Sequence, residues 1–202
     1  MERSGGHREP AGPSDLNAVF RPRDMEALGI PRSRLRTWLQ DGAAEKTGRG
    51  LYRLVQAEPS QYETLAMVSA RVPQAIVCLL TALHVHVIGT QAPWEVWIAI
   101  DRKARKPRLS GLPVRVVRFS GPMLTYAVQT REIQGLAVRI TSPARTVVDC
   151  FRYRNKIGLD VALEALRDAL STRQADVGEI LRIAEVGRVR RVIQPYLEAV
   201  LS

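Results

Sequence analysis

The sequence predicts an α+β protein: an N-terminal winged helix-turn-helix, then a mixed α/β domain with a helical C-terminal part. Three features of the 202 residues carry that prediction. Between Arg21 and Val55, two short stretches of helical periodicity meet at a glycine-containing turn and lead into a polar turn bracketed by glycines. The runs Trp94–Ile100 and Val114–Phe119 are rich in β-branched and aromatic residues, the composition of strands. From Ser142 to the end, apolar residues recur at helical spacing. Strands followed by helices indicate α+β rather than an alternating α/β fold. The expected division is 1–57 for the winged module and 58–202 for the second domain.

Residues 14–20 read as a short leading helix capped by Ser14. Pro22 suits a first helical position, Asp24 and Glu26 favour a helix N-terminus, and Gly29 stops it. Arg32 or Ser33 opens a second helix whose core stripe is Leu35, Trp38 and Leu39, with Gly42 as its end. Two short helices joined by such a turn form a helix-turn-helix, whose second helix enters the major groove. Arg32, Ser33, Arg34, Arg36 and Thr37 lie off the apolar stripe and are the groove candidates. Residues 44–46 and 51–55 then flank Thr47-Gly48-Arg49-Gly50, a hairpin that serves as the wing. Lys46, Arg49 and Arg53 are its candidate contacts to phosphate or the minor groove, with Arg49 at the tip. A module of this size can also bind protein; the basic residues facing away from the core favour nucleic acid.

In the second domain, residues 60–89 give two helices split by Pro73, the second apolar on most sides around Val77–Val87. The two strands follow, joined by a polar loop carrying Arg102, Lys103, Arg105, Lys106 and Arg108. Residues 133–140 form a hairpin turning at Gln134-Gly135, so a mixed sheet is expected. Ser142 caps a helix with Pro143 at its first position. Further helices run through Leu159–Leu170, Val177–Ala184 and Val189–Val200, the last kinked by Pro195.

Thirty basic residues against 20 acidic give a net charge of +10, beside a 46% hydrophobic composition that argues against disorder. The excess is local. Residues 21–53 hold eight basic and four acidic groups, and residues 101–154 hold twelve and three, whereas 155–202 balances at seven each. Anionic partners follow, double-stranded DNA foremost. Arginine outnumbers lysine 26 to 4, which suits bidentate contacts to phosphate or guanine and also fits an arginine-favouring genome. No apolar run approaches the ~18 residues of a membrane span, and the first residues lack the apolar core of a signal peptide, so a cytoplasmic location is expected. Cys78 and Cys150, the only cysteines, are too few for a disulfide framework or a cysteine-based zinc site.

No enzymatic motif stands out, and neither cofactor nor metal is expected. His84 and His86, two apart on a helix, point in different directions and cannot share a metal. Glu95 with Asp101-Arg102-Lys103 resembles the carboxylate pattern of restriction-type nucleases, but the carboxylates sit at opposite ends of one strand, roughly 20 Å apart at ~3.3 Å per residue, too far for one ion. Asp160, Glu164 and Asp168 recur every four residues as an acidic stripe. It reads as a solvated face, as a dock for a basic partner, or as a surface folded against the basic loop 102–108.

Five motifs in order resemble the AbiEi family of abortive-infection antitoxins, which belong to type IV toxin–antitoxin systems: GRGLYRL at 48–54, VPQAIVCLLTALHVH at 72–86, PWEVWIAIDRKARKPRL at 93–109, SPARTVVDCFRYRNKIGLDVALEALRDAL at 142–170 and PYLEA at 195–199. The resemblance implies a prokaryotic autorepressor that binds inverted repeats in its own promoter. It also implies an antitoxin domain that counters a nucleotidyltransferase toxin, without a stable complex between the two. It assigns promoter recognition to the helix around Ser33–Thr37 and the wing at Arg49, and the antitoxin role to residues 60–202. There Arg145, Thr146, Asp149, Arg152, Tyr153, Arg154, Asn155 and Lys156 form the densest polar run. Their alternative role is helix capping and interior ion pairing, Asp149 with Arg145, Arg152 or Arg154. Tyr126-Ala127 stands where relatives carry a glycine, so a loop there is expected to differ. The alternative function is a winged-helix repressor without antitoxin activity.

Overall fold

The computed structural model describes residues 12–57 and 62–201. They divide into two compact units, one ending at Arg71 and including residues 133–136, the other formed by residues 72–132 and 137–202.

In the first unit, strand β1 (Val19–Phe20) precedes helix α1 (Pro22–Ala27) and helix α2 (Ser33–Gln40), and β2 (Ala44–Gly48) and β3 (Leu51–Leu54) make the wing. The strands form one antiparallel sheet in the order β1-β3-β2. Asp24 Oδ2 accepts from the Arg21 amide at 2.7 Å, closing the start of α1 in front of Pro22. Gly29 and Gly42 take positive φ after the two helices, the conformation in which a side chain is penalised. Phe20, Met25, Ile30, Leu35, Trp38, Ala44 and Leu54 form the core, with the Phe20 and Trp38 rings edge to face at 6.3 Å.

Two expectations for this unit are corrected. Residues 14–20 are not a helix: a 3-10 turn spans Pro13–Asp15 and the chain enters β1, where Val19 pairs with Arg53 and Phe20 with Tyr52. Consecutive strand residues point to opposite faces. Phe20 accordingly joins the main core, while Val19 joins a separate cluster with Leu51, Ala66 and Leu136, an arrangement a helix could not provide. The turn is capped from Gly12, and the side chain of Ser14 lies outside the described residues. Leu39 is also not in the core. It is 39% exposed, because one turn of so short a helix buries only Leu35 and Trp38.

The unit extends past the expected boundary at 57 because helix α3 (Glu63–Arg71) packs Ala66 into the Val19 cluster. Arg71 donates to the carbonyl of Thr47 at the base of the wing.

In the second unit, β4 (Ile76–Val77), α4 (Leu79–His86), β5 (Val96–Asp101), β6 (Val114–Phe119), β7 (Val128–Ile133) and β8 (Leu136–Thr141) precede five helices. The sheet order is β6-β5-β4-β8-β7. β4 runs antiparallel to β5 and parallel to β8, and β5 runs parallel to β6, so the sheet is mixed as expected. Val96 to Ile100 of β5 are all buried, the continuous apolar pattern of a central strand. Parallel neighbours need a crossover of about a dozen residues, and here residues 102–113, the basic loop, supply it without a helix. Gln134 and Gly135 both take positive φ between β7 and β8, as a two-residue primed turn requires.

The helices are α5 (Pro143–Arg152), α6 (Arg154–Ile157), α7 (Leu159–Ser171), α8 (Val177–Val186) and α9 (Arg190–Leu201). Ser142 Oγ accepts from the Arg145 amide as the expected cap, 3.2 Å away. α5 contacts α4, α7, α8 and α9, so Ala144 through Phe151 are buried without exception. Pro195 lies inside α9, which continues through it. Among the described residues no helix is long and apolar enough to cross a membrane.

Candidate nucleic-acid interface

The candidate contacts of the winged module fall into two groups. Arg34, Arg36 and Thr37 on α2 are exposed, as are Lys46 and Arg49 on the wing, because Leu35, Trp38, Ala44 and Leu54 turn their elements inward. The four basic side chains of this group have no carboxylate partner among the described residues. Gly50 takes positive φ at the wing tip, next to Arg49.

The other two arginines are committed within the module. Arg32, at the cap of α2 beside exposed Ser33, pairs with Glu26 of α1, its Nη2 3.2 Å from Oε2. The pair ties the two helices of the helix-turn-helix together. Arg53 is 17% exposed at its side chain; its Nε pairs with Glu63 of α3 and its Nη1 lies 3.8 Å from Glu45 across the hairpin. Position on the strand makes Arg53 a wing residue, while its guanidinium serves as the bolt between wing and α3. Arg71, absent from the sequence-derived candidates, holds the wing from the same helix; without its fold, nothing in the sequence links residues 47 and 71.

Arg102, Lys103, Arg105, Lys106 and Arg108 are all exposed in the second unit. The crossover carrying them is fixed at its start: Asp101 Oδ1 accepts from the Lys103 amide at 2.7 Å, the Arg102 amide donates to Phe119 O at 2.8 Å, and Arg118 donates to Asp101 O at 2.9 Å. Asp101 is thus a turn-forming residue. Glu95 pairs with Arg115 at 2.9 Å, and no described group of three acidic, His or Cys side chains could hold a metal ion.

Within the polar run of α5 and α6, Arg145 and Asp149 are fully buried, Nε 2.9 Å from Oδ2. Arg145 Nη1 donates to Tyr126 O at 2.6 Å and Nη2 to Met123 O at 3.0 Å, with its guanidinium 4.9 Å over the Phe119 ring. One arginine therefore organises the loop before β7, where Ala127 adopts a left-handed φ of 51°. Asp149 Oδ1 has no hydrogen-bond partner among the described residues, and burial raises the Asp149 pKa to about 6 against the pull of Arg145. Thr146 Oγ1 meets Thr141 Oγ1 at 2.7 Å, and the Tyr153 hydroxyl donates to Arg118 O at 2.8 Å, its pKa raised to about 12 by burial. Arg154 donates to Phe151 O at 2.9 Å, Lys156 lies 5.7 Å over the Tyr153 ring, and Asn155 is exposed. Arg145, Thr146 and Asp149 of this run are therefore interior scaffolding, Tyr153 and Arg154 are half-buried, and Arg152, Asn155 and Lys156 remain at the surface.

His86 is buried with Nε2 2.7 Å from Thr141 O, and desolvation lowers its pKa. Two of the three residues of the acidic stripe hold a loop other than 102–108, while Asp160 is exposed. Glu164 accepts from the Thr90 amide at 2.9 Å and hydroxyl at 2.7 Å, and Asp168 accepts from the Gly89 amide at 2.7 Å, which clamps the loop after α4.

Residues 15–55 match the model of a family described as transcriptional regulator, AbiEi antitoxin. No curated protein matches the sequence. Among solved structures, the crystal structure of the RV2827C protein from Mycobacterium tuberculosis is similar at a TM-score of 0.54 and 15% identity, over 83% of this chain and 66% of that one. This chain thus spans just under two thirds of that protein's length, and the likeness is one of fold. The family match lies over β1, both helices and the wing, so it is the winged module at residues 15–55 that is similar to the AbiEi antitoxin family of transcriptional regulators.

Proposed function

We propose that the protein is a transcriptional autorepressor that binds double-stranded DNA at inverted repeats in its own promoter, and an antitoxin that counters a nucleotidyltransferase toxin without forming a stable complex with it. The observation that carries the DNA reading is the exposed set Arg34, Arg36, Lys46 and Arg49 on a helix-turn-helix and its wing, without a carboxylate partner among the described residues. Guanidinium groups on the second helix suit guanine edges in the major groove, and the wing cations suit phosphates beside it. The loop Arg102–Arg108 supplies a second set of phosphate contacts. The antitoxin role falls to residues 60–202, with surface residues Arg152, Asn155 and Lys156 as contacts and Arg145–Asp149 holding the helix that presents them.

The test separates the two activities in the full-length chain. Replacing Arg34, Arg36, Lys46 and Arg49 together by alanine abolishes promoter binding in a mobility-shift titration and leaves rescue of growth from the co-expressed toxin intact. Failure of the unmodified chain to rescue growth, with promoter binding preserved, would reduce the protein to a winged-helix repressor.

A further inference from the structure

The helical tail balances seven basic against seven acidic residues, yet the fold distributes them unevenly, three acidic side chains and Arg167 lining one cavity and mostly arginines lining two others. Acidic Asp160, Glu164 and Asp168 line one cavity on α7, with Glu164 and Asp168 holding the Gly89–Gln91 loop. At the junction of α8 and α9 the balance is reversed. Arg152 and Arg188 line a cavity of about 470 Å³, and Arg188 is shared with an adjoining cavity of about 430 Å³ that Arg190 and Arg191 also line. Among the described residues Glu185 is the one carboxylate lining either cavity, and Arg190 takes it at 3.3 Å. Arg152, Arg188 and Arg191 have no carboxylate partner among the described residues.

The first of these cavities has a defined construction. Arg152 donates through Nη1 to Gly187 O at 3.1 Å, which ties its guanidinium to a second residue of the cavity lining and uses one of its five N–H donors. Pro122, Met123, Val186 and Val189 add apolar side chains to the lining, and Ser120 adds a hydroxyl. A space of this volume falls within the range that takes a small ligand, and two arginines lining one cavity beside apolar side chains match a phosphate joined to a less polar body.

We infer that the cavity between α5, the 120–123 turn and the α8–α9 junction binds a phosphate monoester of up to mononucleotide size, with Arg152 and Arg188 gripping the phosphate and Arg191 adding charge at the entrance. The site is independent of the DNA reading, since none of its residues belongs to the winged module or to the basic loop.

Calorimetric titration of the full-length protein at constant ionic strength tests it, with AMP, inorganic phosphate and adenosine as probes. AMP and phosphate bind saturably, AMP more tightly, and adenosine does not. The double variant Arg152→Gln/Arg188→Gln weakens AMP at least about tenfold, as loss of charge-assisted hydrogen bonds predicts. Because Arg152 also bonds to Gly187 O, the single variant Arg188→Gln, with an unchanged thermal melt, decides the case if the double variant is unstable. The inference is overturned if AMP and phosphate bind no better than chloride, if Arg188→Gln binds AMP as the parent does, or if these substitutions weaken only duplex DNA.

Discussion

Arg145 Nε lies 2.9 Å from Asp149 Oδ2 with both side chains withdrawn from solvent, one helical turn apart on α5. Removing one partner of a buried ion pair strands the other charge, at a cost of roughly 3–5 kcal/mol. Arg145→Ala is therefore expected to lower stability by about that amount, and to free the 121–127 loop whose carbonyls at Met123 and Tyr126 it holds. Urea denaturation measures the first effect and amide exchange across the loop the second. A loss below about 1 kcal/mol would contradict the central place given to this pair.

Asp149 also makes a pH prediction. Its carboxyl titrates near 6 in the folded chain, above the ordinary 3.8 of the unfolded one. Between those values the folded state holds a proton that the unfolded state has released, so this group's contribution is full below about 4 and is lost as pH rises through 6. Asp149→Asn should flatten the fall in Tm between pH 4.5 and 6.5 relative to the parent. Parallel curves for the two proteins would refute the assignment.

In the winged module, Arg34→Ala and Arg36→Ala should relax sequence preference, each by about 1–3 kcal/mol of discrimination. Lys46→Ala and Arg49→Ala should instead weaken all sequences alike, each reducing the salt slope by about one phosphate contact. Arg53→Ala serves as the internal contrast. With its guanidinium bound to Glu63 and Glu45, it should lower Tm while leaving the salt slope unchanged. Titration of promoter and random duplexes at several salt concentrations reads the sequence preference and the salt slopes, and a thermal melt reads the Tm of Arg53→Ala.

Neutralising Arg102, Lys103, Arg105, Lys106 and Arg108 should reduce DNA affinity most at low salt, where screening is least. Their side chains are exposed and the backbone of the loop is held by Asp101, Phe119 and Arg118, so the melt should be unaffected. Unchanged affinity at 50 mM salt would assign this charge to another partner.

Val87 closes α4 in the left-handed region at φ 56° while 75% exposed. A β-branched residue is strained there and buries little, so Val87→Gly should stabilise the protein by about 1 kcal/mol despite glycine's entropic cost. A lower Tm in that variant would show that the side chain contributes contacts beyond its exposure.

Local chemistry made much of this legible in the sequence. The proline at the start of α1, the glycines after α1 and α2, the Ser142 cap and the Gln134-Gly135 turn each act through residues within a few positions, and all appear where expected. Leu39 and the 14–20 segment depart from expectation for one reason: an apolar residue shows that it favours burial, and only the packing partner shows which side is buried. Val19 and Phe20 looked helical until β3 placed them on opposite faces.

By itself, then, the sequence determined the α+β class, the winged module, the hairpins and the segments that hold the positive charge, because these depend on periodicity, backbone preference and counting. The tertiary structure alone decided which charges are free. Arg53 and Arg34 are alike in sequence, yet Glu63 arrives beside Arg53 from a helix that sequence periodicity could not place against the wing. Asp149 had three arginines within reach along the chain and is bound to Arg145, since burial of α5 on every side selects the partner that can be buried with it. The neutral tail became a polarised one for the same reason: net charge is a sum over residues, whereas a site depends on where folding brings them together.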